Sequence, residues 1–78
     1  MNAQIVHESS GRLRVRLPQR RMTLEQADLL EAFLQAQDGV EQAAVHERTC
    51  CAVIRYRAGR RGDVLSALAR FSYQSRET

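Results

Sequence analysis

Between residues 12 and 17 the chain alternates strictly between charged and apolar, Arg-Leu-Arg-Val-Arg-Leu. Side chains on a strand point alternately to its two faces. The spacing therefore predicts a half-buried strand with Leu13, Val15 and Leu17 on one side and Arg12, Arg14 and Arg16 on the other. The preceding Gln4-Ile5-Val6-His7 is also strand-prone, and Ser9-Ser10-Gly11 reads as a bulge or tight kink between the two pieces. Pro18, which has no N–H to give to a ladder, ends the pairing.

The period then becomes helical. Ala27, Leu30, Phe33 and Leu34 make an apolar stripe. Thr23 and Gln26, three residues apart, have the chemistry of a capping box at its start, and Gly39 after Asp38 supplies a left-handed stop. From Val40 to Glu47 the chain is extended, with Ala43 and Val45 on one side and Gln42, Ala44 and His46 on the other. Arg48-Thr49-Cys50 forms a turn, and Cys51 to Arg57 make a second strong strand with Ala52, Ile54 and Tyr56 opposite Val53, Arg55 and Arg57. Two extended runs joined so tightly form an antiparallel hairpin. After a loop at residues 58–62, Asp63 can cap a short second helix carrying Val64, Leu65, Leu68 and Phe71, and residues 72–78 leave room for one short edge strand through Tyr73.

Strand, helix, strand, strand, helix, short strand is the split βαβ order. The expectation is an α+β, ferredoxin-like βαββαβ sandwich: an antiparallel sheet with both helices on one face and the other face open. At 78 residues there is room for a single domain, 1–78, with a thin core. Hydrophobic residues at 44% against 27% charged place it with globular chains rather than disordered ones. The N-terminus lacks the basic start and apolar stretch of a secretion signal, and Cys50 and Cys51, being adjacent, close no stapling loop; a reducing, cytoplasmic setting is expected.

All twelve basic residues are arginine. A GC-rich coding sequence produces the same bias. Chemically, guanidinium groups favour bidentate contact with carboxylate or phosphate, which suggests an anionic partner. With the strands at 12–17 and 51–57 side by side, Arg12, Arg14, Arg16, Arg55 and Arg57 share the open face. Three uses compete for that face: a solvated surface offset by acids such as Glu47, a docking surface for an acidic protein or anionic lipid headgroups, and a nucleic-acid surface. Base reading on such sheets relies on exposed aromatic side chains, and Tyr56 is expected to point inward, so only phosphate contact remains for nucleic acid.

His7-Glu8-Ser9-Ser10-Gly11-Arg12-Leu13-Arg14 resembles the H-x-x-x-G-R-x-R opening of a divergent heavy-metal-associated domain family found at the cytoplasmic N-terminus of bacterial heavy-metal-transporting P-type ATPases. The resemblance continues through residues 23–28, the Gly39-Val40 junction and Val53-Ile54-Arg55-Tyr56, nearly the whole chain. It implies a ferredoxin-like fold and a non-catalytic accessory or regulatory domain that could be excised from a longer membrane ATPase, with the pump's other domains or the anionic membrane surface as partners. The rival is a stand-alone anion- or nucleic-acid-binding module.

Better-known heavy-metal-associated domains carry Cys-x-x-Cys in the loop before the first helix. Here that loop is Pro18-Gln19-Arg20-Arg21-Met22, without a thiol and with two repelling charges. The thiols stand instead at Cys50 and Cys51, with His46 four residues earlier. Together these are candidate ligands for copper or zinc if the backbone there turns; otherwise the two cysteines simply pack. His7 reads as a ligand or as a hydrogen-bonded structural histidine. Catalysis has no support: no nucleophile–base–orienter set, no phosphate-cradling glycine loop, and acids at Glu25, Asp28 and Glu31 that read as a solubilising helix face.

Overall fold

Gly11 has φ +76°, a backbone conformation that L side chains rarely adopt, and it turns the chain through a tight hairpin. The structure, a computed structural model describing residues 3–71, begins with that hairpin: β1 (Gln4–Ser9) pairs antiparallel with β2 (Arg12–Arg16), Ser9 opposite Arg12. Ser9-Ser10-Gly11 is therefore a reversal and not a kink. The irregularity in the ladder lies within β1, between Ile5 and His7.

Helix α1 (Leu24–Gln35) starts as its capping chemistry requires. The Gln26 backbone N–H donates to Thr23 Oγ1 at 3.0 Å, and the Thr23 N–H donates back to Gln26 Oε1 at 3.1 Å. It ends earlier than the glycine stop suggests, on Ala36 in the right-handed region. Gly39, at φ +94°, instead turns the chain into β3 (Val40–His46), which forms a hairpin with β4 (Cys51–Tyr56). Helix α2 (Arg61–Arg70) follows an Arg60 cap that makes no side-chain capping hydrogen bond; Asp63, expected to cap it, sits inside the first turn and faces Arg60.

The sheet order is β1-β2-β4-β3, antiparallel throughout. This is an α+β fold compatible with the ferredoxin-like arrangement: β2 and β4 are central, and β1 takes the edge beside β2. The expected edge strand through Tyr73 lies outside the described residues.

One sheet face and both helices share the core. Leu13 and Val15 of β2, Ala43 of β3, and Ala52, Ile54 and Tyr56 of β4 pack against Ala27, Leu30 and Leu34 of α1 and Val64 and Leu68 of α2. Leu13, Val15, Leu30, Leu34, Ile54 and Val64 are completely enclosed, and full enclosure of such a side chain contributes about 1.5–3 kcal/mol. Phe33 and Phe71 close the end of the helix layer with ring centroids 4.9 Å apart.

Helix α1 also covers the free edge of β3. Glu31 Oε1 accepts the Val45 N–H at 3.1 Å and Gln35 Nε2 donates to the Ala43 carbonyl at 3.2 Å. Glu31 thus satisfies an edge-strand amide that would otherwise template pairing with another chain.

Candidate functional site

With the helices on one side, the period-two rule decides what the other side presents. Strand registers arrange its residues in three rows. Ser9, Arg12, Arg55 and Gln42 form the first; His7, Arg14, Val53 and Ala44 the second; Gln4, Arg16, Cys51 and His46 the third. Arg12, Arg14, Arg16 and Arg55 are all exposed, and no row contains a carboxylate. Among the described residues, no acid lies within ion-pair distance of any of these four guanidinium groups.

The acids are engaged elsewhere. Asp38 holds Arg60 at 2.6 Å and lies 3.9 Å from Arg57, which follows β4 and is thereby set apart from the other four arginines. Arg60 Nε is 3.0 Å from Asp63 but is not aligned for a hydrogen bond, so that contact is Coulombic. Glu8 alternates to the helix side of β1 and takes both Nε and Nη2 of Arg61 in a bidentate pair. The hydrogen bond from Arg61 holds the Glu8 carboxyl below its ordinary pKa and raises that of Arg61. Glu47, the acid expected to offset the arginine face, borders it at the β3–β4 turn without pairing with it.

The registers also explain the spacing His7-x-x-x-Gly11-Arg12-x-Arg14. Gly11 makes the turn, its carbonyl accepts the Tyr56 N–H at 3.0 Å, and His7 becomes the cross-strand partner of Arg14. His7 is exposed beside that arginine and is not sealed in a hydrogen-bonded pocket. The motif is one hairpin whose outward side chains belong to the arginine face.

The three candidate metal ligands are not brought together. Cys50 adopts φ 54° in the turn and packs into the core cluster, its Sγ 3.8 Å from the Glu47 carbonyl. Cys51 alternates to the arginine side, in register with His46, but is only 4% exposed, with Sγ 3.4 Å from the Thr49 carbonyl. Among the described residues there is no group of three or more His, Cys, Asp or Glu arranged to hold a metal ion.

Two shallow depressions mark the arginine face. One, of about 390 Å³, lies over Ala44 and Val53 between Arg12, Arg55, Gln42 and His46. The other, of about 470 Å³, adjoins it toward Arg14, Glu47, Arg48 and Thr49. Sequence reasoning named the arginines. It did not see that small residues at 44 and 53 fall between them, because that depends on register.

No protein-family model matches the chain, and no curated protein or solved structure matches it. Among the described residues, no helix is long and apolar enough to cross a membrane.

Proposed function

We propose that this chain is a non-catalytic accessory domain, of the kind heavy-metal-transporting P-type ATPases carry on their cytosolic side. In this reading it acts by docking its arginine face on the anionic membrane surface beside the pump. The observation that carries the reading is the set of four guanidinium groups, Arg12, Arg14, Arg16 and Arg55, that no acid among the described residues pairs with, on strand rows that hold no carboxylate. The resemblance at residues 7–14 supplies the context, and its motif residues Arg12 and Arg14 lie on that face.

Each arginine near an anionic bilayer contributes about 1 kcal/mol, so four give roughly 4 kcal/mol, close to a thousandfold in partitioning. The attraction is screened within a Debye length, and high salt should release the domain.

The test is co-sedimentation with phosphatidylglycerol and phosphatidylcholine vesicles at low and high salt, for the native chain and for a variant carrying Gln at 12, 14, 16 and 55. Binding confined to anionic vesicles, reversed by salt and lost in the variant, supports the reading. Equal binding to both vesicle types overturns it. Tighter retention on single-stranded nucleic acid than on vesicles would favour the stand-alone module. Membrane spans and a phosphorylation motif encoded downstream of Thr78 would support the pump context.

A further inference from the structure

Arg12 and Arg55 stand directly opposite each other across the β2–β4 ladder. Direct partners in an antiparallel pair have Cβ atoms about 4.5–5.5 Å apart, and like charges on directly opposite residues are destabilising. No described acid relieves this pair. Beside it, the strand positions toward β3 carry Val53 and Ala44, which leave a depression of about 390 Å³ where long side chains would have filled the space. Its rim adds a carboxamide from Gln42 and an imidazole from His46, both able to donate N–H groups. The neighbouring depression also has arginines in its wall, Arg12, Arg14 and Arg48, but with Glu47 among them, whereas the first has no acid in its lining.

We infer that the depression over Ala44 and Val53 is a discrete phosphoryl site. In it Arg12 and Arg55, adjacent in one row, together hold one phosphomonoester dianion, while Gln42 and His46 complete the donor set. The inference rests on the membrane-docking reading and deepens it by naming the headgroup. A phosphomonoester offers three unesterified oxygens and close to two charges, enough for both forks, whereas a phosphodiester offers two oxygens and one charge. A bridging dianion also converts the Arg12–Arg55 repulsion into two attractions.

The experiment has two arms. In the first, inorganic phosphate is titrated into the native chain at fixed ionic strength, against a chloride control, and the backbone amide resonances of Ala44 and Val53 are followed. Saturable shifts are expected with phosphate only. Affinity should fall about tenfold or more in Arg12→Gln and in Arg55→Gln, and less than about threefold in Arg14→Gln and Arg16→Gln. Shifts that rise without saturating, or equal losses in all four variants, overturn the site.

The second arm compares phosphatidic acid vesicles with phosphatidylglycerol vesicles at matched surface charge. Preference for phosphatidic acid, competed by inorganic phosphate, supports the proposal. Saturable phosphate binding without vesicle binding would leave the site standing and remove membrane docking. Equal binding to both lipids, with all four variants weakened alike, would leave docking standing and remove the site.

Discussion

Gly39→Ala is a sharp probe of how the helix layer is locked to the sheet. Gly39 is buried at φ +94°, and a Cβ there would lie 2.6 Å from Arg60 Nε and 2.9 Å from both Cβ and Cγ of Arg60. The guanidinium end can swing away, but the Arg60 Cβ is fixed to the chain at the start of α2, so the first turn of that helix has to shift. Left-handed backbone costs an L residue about 1–2 kcal/mol. Displacing Arg60 also gives up its 2.6 Å contact with Asp38 and its 3.0 Å contact with Asp63, worth about 0.2–1 kcal/mol each at such exposed sites. Alanine's smaller unfolded-state entropy returns about 0.4–1 kcal/mol.

The expected net loss is about 2 kcal/mol, roughly 8–16 °C in Tm for a domain of this size. The assay is thermal and urea unfolding of Gly39→Ala, Arg60→Ala and the double variant. Arg60→Ala removes the obstructing Nε and Cγ and has already given up both ion-pair contacts, so Gly39→Ala should cost less in that background than in the native one, leaving the backbone strain and the close approach to the retained Cβ at position 60. A Tm unchanged within about 2 °C, or strictly additive single losses, would refute the reasoning.

Three further outcomes follow from the same geometry. Because Arg61 holds the Glu8 carboxyl below its ordinary value of 4.5, the pair stabilises the fold above that pH and its contribution disappears as pH falls through the lowered value. Glu8→Gln should therefore be less stable than the native chain near neutrality and indistinguishable from it in strong acid, and a gap persisting at the acid end would exclude the linkage. Ile54→Ala, at a fully enclosed position, should cost about 2–5 kcal/mol in urea unfolding, whereas Val53→Ala on the open face should cost less than about 1 kcal/mol; similar losses would mean that the faces are misassigned. Thr23→Ala removes the hydroxyl half of the α1 capping box and should lose about 1 kcal/mol, with Thr23→Asp restoring most of it.

Local physics made much of this protein legible in its residues. The alternation from Arg12 to Leu17 identified both faces of β2, Thr23 and Gln26 marked the start of α1, and the apolar set from Ala27 to Leu68 named most of the core, because each signal depends on neighbours a few positions apart. The arginines of the open face were readable for the same reason. Tertiary structure decided what lies between them. A two-residue turn at Ser10-Gly11 folded β1 back onto the sheet edge, the ladders set Arg12 against Arg55 and Ala44 against Val53, and the split between core and open face separated Cys50 from Cys51 and His46. Strand partners and register arise from contacts between distant segments, and a shift of one residue exchanges every inward side chain for an outward one, so no local pattern could fix them.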